Sequence, residues 1–172
     1  MPLDDAKPLD DAKPLDNALI AGQAAPDSLE LLDQNAETVK LGDFAGKNLI
    51  VYFYPMDDTP GCTVEGKEFR DLYEQFVALD TVILGVSLDS AESHRAFANK
   101  HAFPFKLLSD REGLMARAFG VLKGGVAARS TFVLDRDLRV RRVFHDVAPR
   151  GHAQQVLTFV RTMLESHRML GG

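Results

Sequence analysis

The run NLIVYFY at residues 48–54 is apolar and aromatic without alternation. A strand with water on one face alternates polar and apolar side chains, so an unbroken run of strand length marks a strand covered on both faces. Layers above and below it are therefore required. TVILGVS at residues 81–87 is a second run of this kind. Between them the period becomes helical, with Val64, Phe69, Leu72, Tyr73, Phe76 and Val77 mostly on one side of a helix that begins near Cys62. A polar amphipathic helix is expected over 90–101, a strand over 105–108 and a helix near 111–119. A short hairpin over 29–33 and 38–41 precedes the first buried run, and a second over 130–134 and 140–145 turns at 135–137. A final helix over 151–169 sets Val156, Phe159, Val160, Met163 and Leu164 on a core-facing stripe. Strand alternating with helix predicts an α/β sandwich with parallel strands at its centre.

The 172 residues, 45% of them hydrophobic, support one sizeable core and not two full domains. The first residues repeat a hexapeptide, PLDDAK, PLDDAK, PLDNAL, in which a proline interrupts helical register every sixth position. Residues 1–20 are thus expected to form a flexible acidic tail, with the folded domain over 21–172. The tail holds five Asp against two Lys, so most of the formal net charge of -5 resides there. A near-neutral body offers no basic patch for nucleic acid or an acidic membrane. No run has the roughly 18 apolar residues of a membrane span, and no basic-then-apolar leader opens the chain, so a cytoplasmic protein is expected. Cys62 is the one cysteine, which excludes an internal disulfide and a cysteine-held zinc or iron–sulfur centre.

The chemistry is expected in PMDDTPGC at residues 55–62, which follows the buried strand and opens the next helix. In an open α/β sheet, reactive groups gather at the carboxyl ends of strands. A cysteine at a helix N-terminus feels the partial positive charge of unpaired N–H groups, which favours the nucleophilic thiolate. Thr59 can turn its hydroxyl toward the sulfur or toward an oxygen bound beside it, while Pro55 and Pro60 stiffen the loop. The competing reading is a small buried hydrophobe, the commoner fate of a lone cysteine. Asp57 and Asp58 are adjacent on a turn and read as solvated charges. His94, His101, His145, His152 and His167 form no short ligand pair and none stands near an acidic cluster with metal spacing, so no metal or other cofactor is expected. His152 reads as a residue flanking the last helix. Gly124-Gly125 lacks the Lys-Ser/Thr of a phosphate loop and reads as a flexible connection.

The pattern Pro-x-x-x-Thr-x-x-Cys within YFYPMDDTPGCTVEG resembles the peroxidatic loop of the peroxiredoxins, more narrowly of their bacterioferritin-comigratory-protein or PrxQ branch. The resemblance continues through LGVSLDS at 84–90, LLSD at 107–110, RSTFVLD at 129–135 and Gly151-His152, covering roughly residues 24–168. It implies a thioredoxin-like fold, a central mixed β-sheet flanked by helices. It implies also reduction of hydrogen peroxide or an organic hydroperoxide by a cysteine thiolate. By this resemblance Cys62 is the peroxidatic cysteine, Thr59 and Pro55 are the loop residues, and Arg129 is the activating arginine. Physically, attack on an O–O bond builds negative charge on the departing oxygen, which the Thr59 hydroxyl, the Cys62 amide and the Arg129 guanidinium could stabilise.

The chain departs from many members of that family, which carry a resolving cysteine at the position of Lys67 or at that of Ala98. A one-cysteine cycle is therefore expected: the Cys62 sulfenic acid condenses with an external thiol, and a second thiol clears the mixed disulfide. Thioredoxin, glutaredoxin or glutathione are the candidate reductants. Ala98 is open to two readings, a natural alanine or an engineered replacement of a resolving cysteine. The missing C-terminal arm of dimeric relatives tilts toward a monomer, with a weak homodimer compatible. Thiol–disulfide exchange is disfavoured because Val64 and Glu65 stand where a second cysteine would be needed. No local cysteine-protease signature is present. From another class, a binding or holding module with a vestigial peroxidase site would use the acidic tail as its interaction element: deleting residues 1–19 would then abolish partner binding, whereas an enzyme would keep its catalysis.

Overall fold

The structure is a computed structural model that describes residues 17–171, with side chains through residue 166. The hexapeptide repeats over 1–16 and His167 lie outside the described residues and side chains. The strands are β1 (Leu31–Leu32), β2 (Thr38–Val39), β3 (Asn48–Phe53), β4 (Thr81–Ser87), β5 (Lys106–Ser109), β6 (Leu122–Lys123), β7 (Val126–Ala127), β8 (Ser130–Leu134) and β9 (Val140–Phe144). The helices are α1 (Pro60–Asp71), α2 (Tyr73–Ala78), α3 (Ala91–His101), α4 (Leu114–Phe119) and α5 (His152–Gly171).

Seven strands form one mixed sheet in the order β2-β1-β5-β4-β3-β8-β9. Every residue of β3 is buried, as the unbroken apolar run requires, and its side chains divide by the two-residue period of a strand. Leu49, Val51 and Phe53 enter one core with Met115 and Phe119 of α4. Ile50, Tyr52 and Tyr54 enter the other with residues of α1, α2, α3 and α5. The expected α/β sandwich with parallel central strands is present, since β3, β4 and β5 run parallel. Both expected hairpins are present as well, β1–β2 and β8–β9.

Register decides where chemistry can gather. β3 runs parallel to β4 with Phe53 opposite Val86, and antiparallel to β8 with Phe53 opposite Ser130. The loop after β3, the loop after β4 and Arg129 just before β8 therefore share one edge of the sheet. Residues 55–62, Asp89 with the start of α3, and Arg129 meet there although they are far apart in sequence.

Three expectations change. The helix expected from Cys62 through Val77 is two helices broken at Leu72, and Val77 is 51% exposed. On α1 the buried face is Cys62, Glu65, Gly66 and Phe69, with Val64 only half-buried. Hydropathy missed Glu65 because its burial rests on an ion pair with distant Arg129, and Gly66 because the Phe103 ring lies where a side chain would be. Among the described side chains of α5, His152, Ala153, Val156, Leu157, Val160 and Met163 are buried, while Phe159 and Leu164 pack at the margin. Gly124-Gly125 is not a loose connection: both residues have positive φ, +61° and +81°, and they turn the β6–β7 hairpin. Two consecutive left-handed residues are what a tight hairpin of this twist demands. At the amino end, the Leu19 amide donates to the Phe119 carbonyl at 3.1 Å and its side chain packs on the core.

Candidate active site

Thr59 is the extended residue preceding α1, and Pro60 is its first helical residue, where a missing N–H costs nothing. The first intrahelical bond runs from the Thr63 amide to the Thr59 carbonyl at 2.9 Å. The amides of Gly61 and Cys62 precede that bond, so helix geometry leaves them without an intrahelical acceptor. Cys62 is in the first turn with 2% of its surface exposed. Its neighbours in the same apolar cluster include Tyr52, Tyr54, Phe97, Ala98 and Phe103. Sequence thus placed the sulfur correctly at a helix start, and the structure adds that it is sealed.

The Thr59 hydroxyl donates to the Met56 carbonyl at 2.8 Å and makes no cap bond to the helix. Its proton is committed within the loop, and its oxygen lone pairs are what it can offer a ligand. Pro55 is half-buried at the head of the same loop.

Arg129 reaches this turn from the adjoining strand. Its Nη1 donates to Glu65 Oε1 at 2.8 Å, and its Nη2 would stand 3.0 Å from a Cβ placed on Gly61. Burial pulls the guanidinium toward neutrality, but the charges of Cys62 and then Glu65 outweigh it and raise the pKa further above its ordinary value. The arginine thus lies between the helix turn that carries the sulfur and the Glu65 carboxylate. Glu65 is fully buried, and its Oε2 has no partner among the described residues. Its burial pushes the carboxyl up to about 7, against the attraction of Arg129. Nothing in the local sequence singled out Glu65, because its partner lies 64 residues away.

Two sequence readings are corrected on the other side of the loop. Asp57 is not a solvated charge: its side chain is 4% exposed and lies 2.7 Å from His94 Nδ1. His94, expected to stand clear of acidic groups, is clustered with Asp57 and Asp89. Adjacent residues on the turn do point apart, so Asp58 is the exposed one and pairs with Lys100 at 3.0 Å. The candidate ligand atoms of the cluster are engaged within the protein. Asp57 Oδ1 accepts from the Tyr54 hydroxyl, Oδ2 from Ser93 and His94, and Asp89 Oδ2 from the Asp57 amide and Ser87. His152 does begin the last helix, and it is buried against Thr131 at 2.7 Å, where burial lowers its pKa to about 4. It is neutral at ordinary pH.

A family model described as AhpC/TSA family matches residues 21–143. The chain belongs to the AhpC/TSA family. Peroxiredoxin Bcp of Bacillus subtilis is 45% identical over 153 residues, 84% of this chain and 96% of that relative. Chloroplastic peroxiredoxin Q of Suaeda salsa is 38% identical over 150 residues, 85% of this chain and 70% of the relative. Among solved structures, the bacterioferritin comigratory protein of Xanthomonas campestris superposes with a TM-score of 0.79 at 35% identity, covering 84% of this chain and 99% of that one. That protein has alkyl peroxide reduction activity. This chain is a peroxiredoxin of the Bcp/PrxQ type, a thiol peroxidase on the thioredoxin-like fold. Its substrate class is a peroxide and its reductant a thiol. Lys67 is exposed and Ala98 buried, and neither carries sulfur. Among the described residues no helix is long and apolar enough to cross a membrane.

Proposed function

We propose that this peroxiredoxin domain, running from about residue 21, reduces hydrogen peroxide and organic hydroperoxides through Cys62, and that an external thiol regenerates it. The carrying observation is the convergence of Arg129 on the buried first turn of α1, where its Nη2 faces Gly61 beside Cys62. The Cys62 thiolate attacks one peroxide oxygen; an S–O bond forms, the O–O bond breaks, and the departing oxygen leaves as alkoxide or hydroxide and takes up a proton. The sulfur becomes sulfenic acid and the peroxide is reduced to alcohol or water. Arg129 Nη2 and the amides of Gly61 and Cys62 supply the fixed donors for the developing charge. Thr59, its own proton held by Met56, accepts the O–H of the hydroperoxide and orients it along the line of attack. Pro55 fixes the entry to this loop.

With Cys62 as the one cysteine, the return path needs two external thiol equivalents. The first condenses with the sulfenic acid, releasing water and leaving a mixed disulfide; the second attacks that disulfide and frees the Cys62 thiol. A cytoplasmic monomer reduced by thioredoxin, glutaredoxin or glutathione fits this scheme. The test is peroxide turnover with each reductant in separate assays, with mass analysis of the enzyme trapped in the cycle. Turnover with a Cys62 mixed disulfide is expected for at least one. Sulfenic acid that no added thiol reduces would overturn the cycle.

A further inference from the structure

The reactive loop is fastened to α3 by buried bonds that the chemistry above does not use. Asp57 lies between Pro55 and Thr59, and its carboxylate accepts the Tyr54 hydroxyl, the Ser93 hydroxyl and His94 Nδ1, each at 2.7 Å. His94 is fully buried, and its Nε2 is 2.9 Å from the Leu108 carbonyl. A carbonyl only accepts, so Nε2 carries a proton; the carboxylate and Nδ1 then share a second. The Asp57 amide is also held, donating to Asp89 Oδ2 at 2.8 Å. Asp58, next in the chain with φ +60°, reaches Lys100 near the other end of α3. Between those two attachments α3 presents Phe97 and Ala98, which pack in the cluster that encloses Cys62.

The two attachments are unequal. The Asp58–Lys100 pair is exposed, with 54% and 59% of the side chains accessible, and water and salt screen such pairs. The Asp57–His94 pair is sealed, and removing one member leaves an uncompensated polar group in a dry site. The buried pair therefore decides whether the loop stays on α3. Two demands on Cys62 conflict here. Attack on peroxide needs the sealed turn with Thr59 and Arg129 in place, whereas an incoming thiol must bring its sulfur to bonding distance of an atom that is 2% exposed.

We propose that Asp57 and His94 are positioning residues: their buried pair holds residues 55–59 against α3 in the peroxide-reactive arrangement, and its release opens Cys62 to the reducing thiol. The inference rests on Cys62 being the reacting sulfur. Loosening the pair then affects the two half-reactions in opposite directions. Peroxide oxidation slows because the groups around the sulfur lose register, and thiol capture quickens because the open form is more populated.

The two rates are measured separately by stopped flow on the full chain: oxidation of reduced enzyme by hydrogen peroxide, and capture of preformed sulfenic acid by glutathione. His94→Leu and Asp57→Ala are expected to lower the first roughly 10- to 100-fold, the range set by misplacement of reacting groups by about 1 Å, and to raise the second severalfold. Ser93→Ala, which removes one bond from the network, shifts both the same way by less and remains informative if a harsher variant does not fold. Asp57→Asn recovers most of the lost peroxide rate, because its amide can donate to a neutral His94 Nδ1 while its oxygen still accepts from Tyr54. Leu134→Ala, in the core on the opposite side of the sheet, lowers the melting temperature and leaves both rates unchanged. Rates that fall together, or that match the native protein in His94→Leu and Asp57→Ala, would overturn the proposal. Absence of any sulfenic acid in the native enzyme would instead contradict the role of Cys62.

Discussion

Arg129 Nη1 donates to Glu65 Oε1 at 2.8 Å, and Glu65 is three residues after Cys62 on the same buried face of α1. Residues three apart on a helix are neighbours, so Arg129 is oriented from the same helix that carries the sulfur. The pairing consumes one edge of the guanidinium fork and leaves Nη2 toward the first turn, at Gly61.

Glu65 gives the fold a pH dependence of known sign. Burial raises its carboxyl from about 4.5 to about 7 in the folded chain, so the folded state binds the proton more tightly. Its contribution to stability is therefore full below about 4.5 and is lost as pH rises through about 7. Glu65→Gln removes this dependence. Denaturant unfolding at about pH 4.5 and about pH 8 is expected to show the gap between variant and native moving in favour of the variant at the higher pH. The change is on the order of 3 kcal/mol. A gap that does not change with pH would contradict it.

Gly61→Ala tests the reach of Arg129. A Cβ there would stand 3.0 Å from Arg129 Nη2 and 3.3 Å from Pro149 Cγ, so the guanidinium has to move. The guanidinium gives way by a few tenths of an ångström, less than the misplacement of about 1 Å that costs roughly 100-fold, so the rate of peroxide oxidation is expected to fall severalfold, up to about tenfold. Helix content should be retained, since alanine favours helix over glycine. An unchanged rate would show that Nη2 is not held at this turn during reaction.

Thr59 separates an acceptor role from a capping role. Because its hydroxyl makes no cap bond to α1 and its bond to the Met56 carbonyl is exposed, Thr59→Val should change the thermal midpoint little while lowering the peroxide rate by roughly tenfold or more. Thr59→Ser should restore most of it, since orientation by one positioned hydroxyl is commonly of that size. Loss of stability in step with rate would mean that the hydroxyl only supports the loop.

The buried strands were legible because covering both faces of β3 and β4 leaves an unbroken apolar run, a property each segment carries alone. The sulfur at a helix start was legible because Pro60, Gly61 and Cys62 are consecutive. Arg129 could be read only through resemblance: it comes to the site because β8 pairs antiparallel with β3, and pairing register is written in no short segment. Glu65 and Asp57 escaped for the same reason. Their partners lie 64 and 37 residues away, and a charge looks solvated until its partner is known. The Gly124-Gly125 turn was read as slack because glycine signals freedom and positive φ equally, and only the flanking β6–β7 pairing distinguishes them.

The central claim is that Cys62 is the atom that peroxide oxidises. Reduced protein and Cys62→Ser are mixed with one equivalent of hydrogen peroxide, and intact mass and free thiol are followed over seconds. The account predicts that the native chain gains one oxygen and loses its thiol within that time, while the variant gains none. A Cys62 that reacts no faster than free cysteine would contradict it.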